Sequence, residues 1–166
     1  MTDTTYTAAW VPNDDPARSL DVASELAAAW ILRQTKALGI KPVLVNQTQD
    51  QWSMGPDAIR RLSGICDTVT DRGKRPIGHR RSVLAYVPRY RDMHRALPYA
   101  RDGALAVVEL MSDPLSGWAM ETHAVNLVDG QTTRDMEPRP ANPAGRPPPR
   151  REQWMGQQVR RRASAA

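Results

Sequence analysis

Cysteine is almost missing from this chain: Cys66 stands alone among 166 residues. A single thiol forms no intrachain disulfide and no cysteine-built zinc site, and it suits a reducing compartment. Phenylalanine is absent, so a core has to be assembled from Leu, Val, Ile, Met, Ala and the five Trp. Lysine is scarce, three against twenty Arg, a bias that speaks of a GC-rich coding sequence rather than of a task. Long apolar runs are lacking too. The longest, residues 20–32, is interrupted by Asp21, Ser24 and Glu25 and falls short of the roughly 20 apolar residues that cross a bilayer. The amino-terminal stretch MTDTTYTAAWVPNDDP has neither the basic start nor the hydrophobic segment of a signal peptide. The expectation is a soluble, cytoplasmic chain whose first 14 residues are flexible.

Familiar catalytic signatures are missing as well. Neither G-x-G-x-x-G nor G-x-S-x-G occurs. Gly73-Lys74 is not a phosphate-binding P-loop, because position 68 is Thr where that loop needs Gly, and Arg75 replaces the hydroxyl residue that would hold Mg²⁺. His79, His94 and His123 are too scattered to read as a ligand set, so no metal and no cofactor are expected.

What is present is charge, arranged in blocks. Residues 1–71 hold six basic and nine acidic groups; residues 72–101 hold nine basic groups against Asp92 alone; residues 102–133 hold five acids and no Lys or Arg. These blocks cancel. The whole excess of +5 comes from the segment after residue 133, with eight Arg and three acids. That segment also contains Pro138, Pro140, Pro143 and Pro147-Pro148-Pro149, a composition that excludes regular helix and internal strand. It reads as a disordered basic tail over 134–166, with a short helix at its very end, following a folded domain over 1–133.

Within the domain, periodicity separates strands from helices. Leu20, Ala23, Leu26, Ala27, Trp30, Ile31 and Leu38 recur at three-to-four spacing between Asp15-Pro16, read as N-cap and first helical position, and Gly39. Val43-Leu44-Val45 reads as a buried strand, and Pro56-Asp57 opens a second helix carrying Ile59, Leu62, Ile65 and Cys66 on one face. Residues 68–81 show no period and read as a long basic loop. Residues 82–87 form a second strand, 90–97 a third helix, 104–110 a third strand, and 118–128 a fourth. Strands alternating with helices predict an α/β domain: a small three-layer, mostly parallel sheet of about four strands with flanking helices, the last strand an antiparallel edge.

Parallel sheets bind ligands beyond the carboxyl ends of their strands. There the sequence offers Asn46, Gln47 and Asp50, then Arg89, then Glu109, an acid closing an apolar strand where partial desolvation suits acid–base work. Its bland alternatives are an exposed strand-end residue or an ion pair with Arg89. The basic loop offers Arg75, Arg80 and Arg81, and the tail Arg160, Arg161 and Arg162, whose planar forks suit phosphate oxygens. Trp154 and Met155 in the tail offer an apolar docking segment. Cys66 reads as a core residue. Three functions follow in order: a non-enzymatic module contacting nucleic acid or a nucleoprotein; a small enzyme around Glu109, Arg89 and Asn46; an adaptor docking a protein through Trp154 and Met155. No membrane partner is expected.

Overall fold

The computed structural model describes residues 5–48, 54–73, 75–110 and 114–133. The chain divides into two units, Met1–Met136 and Glu137–Ala166. The second, with Arg160, Arg161, Arg162, Trp154 and Met155, lies outside the described residues, as do Asp50 and Lys74.

Six short segments form the strands: the apolar β1 (Thr7–Val11), β2 (Val43–Val45), β4 (Ser82–Tyr86) and β5 (Ala104–Val108), and the more polar edges β3 (Asp67–Val69) and β6 (Val125–Asn126). They pair in the order β3-β2-β4-β5-β1-β6, and every pairing is parallel. Between them lie helices α1 (Leu20–Leu38), α2 (Asp57–Ile65), α3 (Leu97–Ala100) and α4 (Ser116–Glu121), with a 3₁₀ turn over Tyr90–Arg95.

The side-chain alternation of the strands sorts the core into two halves. Ala9, Val11, Leu44, Leu84, Tyr86, Ala104, Ala106 and Val108 point to one face, under Ala23, Ala27 and Ile31 of α1 and Ile59 and Leu62 of α2. Ala8, Trp10, Val43, Val45, Val83, Ala85, Leu105 and Val107 point to the other, against Met93, Tyr99, Trp118 and Ala119. Both faces are therefore covered, which is why the central strands are apolar rather than alternating with polar residues. Removing a Leu or Val of this kind from water contributes about 1.5–3 kcal/mol per residue.

Several expectations are corrected. The segment read as a flexible amino terminus contains β1, a strand hydrogen-bonded on both sides, between β5 and β6. Residues 118–128 are not one strand: Trp118–Glu121 belongs to α4, and the chain becomes extended only at Val125. Strand β6 is an edge, but a parallel one; its antiparallel partner is the single bridge from Val125 to Thr132 across the turn at Gly130. Strand β3 lies inside what reads as loop. Helix α1 begins at Leu20 with Ser19 as its cap, whose hydroxyl accepts from the Val22 N–H (3.3 Å), and it stops at Gly39, whose φ of 68° favours glycine. The third helix is split: a 3₁₀ turn to Arg95, then α3 with Pro98 in its first turn, where a missing N–H removes no helical bond.

Candidate functional site

The chain leaves β1 towards α1 on one face of the sheet and leaves β5 towards α4 on the other. Two neighbouring strands whose connections part in this way open a crevice at their carboxyl ends. A pocket of about 140 Å³ lies there, lined by Pro12, Asn13, Arg18, Leu20, Ala23, Glu109 and Leu110.

Each wall has a local cause. Pro12 ends β1, and Asp15 turns the chain by accepting the Ala17 N–H on Oδ1 (2.9 Å). Arg18 then reaches back, donating from Nη1 to the Pro12 carbonyl (2.7 Å) and pairing with Asp14 Oδ1 (2.7 Å). Ser19 starts α1, which brings Leu20 and Ala23 over the opening. Glu109 is 8% exposed. Its Oε1 accepts the Leu115 N–H (2.6 Å) and its Oε2 the Asn13 N–H (2.9 Å). One carboxylate thus clamps the β1–α1 loop to the start of α4. The expected partner Arg89 is elsewhere, with its Nε on Asp92 Oδ2 (2.8 Å).

A second parting of connections occurs between β2, followed by α2 on one face, and β4, followed by the 3₁₀ turn and α3 on the other. Asn46 closes β2 there, its backbone N–H donating to the Val69 carbonyl (3.0 Å). The residue is 2% exposed, and neither the oxygen nor the nitrogen of its side-chain amide has a hydrogen-bond partner among the described residues. Such a buried orphan costs about 1–3 kcal/mol. Beside it, Gln47 donates from Nε2 to the Val87 carbonyl (3.2 Å). Val87 has φ 42°, a left-handed backbone that a β-branched residue adopts only under strain, at a cost of about 1–3 kcal/mol. Tyr86, on the same face as α1, has its phenol pushed up by burial and, less, by Asp21, so it stays a donor.

The basic block resolves into two kinds of Arg. Arg81 is drawn inside, its side chain 5% exposed, with Nε on the Lys41 carbonyl (2.9 Å) and Nη2 on Asp67. Lys41 Nζ joins the same carboxylate at 2.8 Å, and the two cations, Lys41 first, hold the Asp67 carboxyl below its usual range. Arg81 therefore has no free fork to offer a phosphate. Arg95 pairs with Asp71 and Asp92. Arg72, Arg75 and Arg80 are exposed and make no ion pair among the described residues. The Cys66 thiol is buried, and burial pushes it up to about 12, so it carries no thiolate. Among the described residues no group of three or more His, Cys, Asp or Glu is placed to hold a metal ion, and no helix is long and apolar enough to cross a membrane.

Sequence reasoning reaches Glu109 and Asn46 but misses Asn13, Arg18, Leu20 and Ala23 as site residues, because it does not see β1. The signal is there: Ala8-Ala9-Trp10-Val11 ends at Pro12 just as Leu84-Ala85-Tyr86-Val87 ends at Pro88. The orphaned amide of Asn46 and the strain at Val87 leave no trace in sequence. No family model, curated protein or solved structure matches this chain.

Proposed function

We propose that this protein binds a small molecule at the carboxyl edge of its sheet, in the crevice between β1 and β5. The observation that supports this reading is the pocket under the start of α1, set where open α/β sheets take their ligands. At about 140 Å³ it is smaller than the roughly 300–1,000 Å³ of pockets that enclose a whole drug-sized molecule. It suits the head of a ligand whose remainder lies against the exposed side chains of Leu20 and Leu110. Glu109 serves as the residue that sets the two loops, since both of its oxygens are held by backbone N–H groups. This assigns the protein to binding ahead of acid–base catalysis.

The test is a screen of small polar metabolites by amide NMR with the wild type and Ala23→Met, whose longer side chain fills the pocket. Binding that shifts the amides of Asn13, Ala23 and Leu110 and is lost in Ala23→Met supports the proposal. Binding that survives the substitution unchanged, or no binding at all, contradicts it.

A second reading rests on a different observation: Arg72, Arg75 and Arg80 are exposed and make no ion pair among the described residues. These, with the Arg-rich segment 134–166, suit contact with a polyanion such as nucleic acid. Arg81 leaves this group and joins the core. The check is duplex DNA binding at several salt concentrations with the three Arg replaced by Ser. Affinity that falls steeply with salt in the wild type and drops in the variant supports it; equal affinity in both rejects it.

A further inference from the structure

The orphaned amide of Asn46 stands outside the pocket just described and is carried by its own observations. Asn46 sits at the carboxyl end of β2, at the second place where neighbouring connections part, between β2 and β4. Protein interiors very seldom leave both ends of a buried side-chain amide without partners. Here Oδ1 and Nδ2 are both unpaired among the described residues, and both lie out of contact with solvent. Ser24 Oγ, on the helix that covers this face, is likewise buried and unpartnered. On the adjacent strand Val87 holds its strained left-handed turn, and Gln47 bonds its carbonyl. Two unfavourable features placed side by side at a ligand-binding position point to a state in which both are relieved.

We propose that Asn46 is the recognition residue of a second ligand site, for a neutral group that presents a hydrogen-bond donor beside an acceptor: a carboxamide or the edge of a nucleobase. The chemistry follows from which atoms are unpaired. A carboxylate or sulfate, which only accepts, satisfies Nδ2 and leaves Oδ1 orphaned; a cation does the reverse. Only a group with a donor and an acceptor side by side satisfies both, in the geometry by which an Asn amide pairs with adenine. The amide is covered in the unliganded chain, so binding draws on conformers in which the Gln47–Val87 contact is open, and the strain at Val87 favours them.

The test follows the Asn46 side-chain NH₂ resonances of the full chain by NMR during titration with nicotinamide, adenosine and uridine. Nicotinate and sulfate serve as probes lacking the paired donor and acceptor. The expected result is a saturable shift of the Asn46 signals with nicotinamide or a nucleoside, which also separates the carboxamide source from the nucleobase. Nicotinate and sulfate bind at least about tenfold more weakly, as an unmatched buried group requires. In Asn46→Leu that binding disappears while the melting temperature holds or rises, because an orphan has been removed. If Asn46→Leu does not fold, the smaller Asn46→Ala replaces it, with the same loss of binding expected. Asn46 signals untouched by every probe overturn the proposal, as does a persistent contact from the Asn46 NH₂ to a buried water. So does an Asn46→Leu chain that folds but is less stable than wild type. Ala23→Met leaves the Asn46 response intact, so this site and the β1–β5 pocket stand or fall separately.

Discussion

Glu109 and Asp67 show how single carboxylates are used in this chain. Glu109 receives two backbone N–H groups from segments on either side of the crevice, so Glu109→Gln sets an amide NH₂ against one of those donors. The expected cost is about 2 kcal/mol of stability with weakened ligand binding, read by urea denaturation. Wild-type stability and unchanged amide exchange at Asn13 and Leu115 would show that the clamp is not needed. Asp67 lies between Lys41 and the buried Arg81, and Asp67→Asn keeps one acceptor oxygen but removes the charge that neutralises that guanidinium. Discounted for the part of Asp67 that faces solvent, the loss is about 1–2 kcal/mol at neutral pH. Because its folded carboxyl lies below the usual value of 3.8, this contribution is complete above that pH and is lost as pH falls through the lower, folded value. The stability difference between wild type and variant therefore closes only in strong acid. A difference that closes already near neutral pH would assign it to another group.

At the scale of elements, the start of α1 governs the pocket. The Ser19 cap, not Asp15, fixes where the helix begins, and Leu20 and Ala23 follow from it. Ser19→Ala is expected to cost about 1 kcal/mol. Asp15→Ala, which removes only an exposed turn bond, costs clearly less; equal costs would mean that the helix starts earlier. The same region shows what was legible. Helix α1 and strands β2, β4 and β5 carry their period or their apolar runs on the surface of the sequence, and the parallel sheet follows from their alternation. Strand β1 escaped because its small Ala8 and Ala9 give a weak apolar signal beside Trp10 and Val11. Strand β3, with Asp67 and Thr68, is too short and polar to stand out; its pairing with β2 is a tertiary fact. Residues 118–128 misled because Trp118, Ala119 and Met120 are as apolar as a strand, and only packing against β1 selects the helix. Arg81 shows the same limit for charge: nothing in its sequence neighbours distinguishes it from Arg80, yet one lies in the core and the other in solvent.

For the molecule as a whole, the described residues place an all-parallel sheet between two covered faces, each with its own apolar cluster. A chain ending at residue 133 is expected to keep the melting temperature of the full chain within a degree or two and to lose part of any polyanion affinity; a large fall in melting temperature would show that the basic tail belongs to the fold. The central claim concerns the carboxyl edge, and amide NMR of the full chain against a small-metabolite panel tests it most directly. A saturable ligand whose shifts gather at Asn13, Leu20, Ala23, Glu109 and Leu110 is expected. Shifts confined to Arg72, Arg75 and Arg80, or a panel with no binder at all, would contradict the claim.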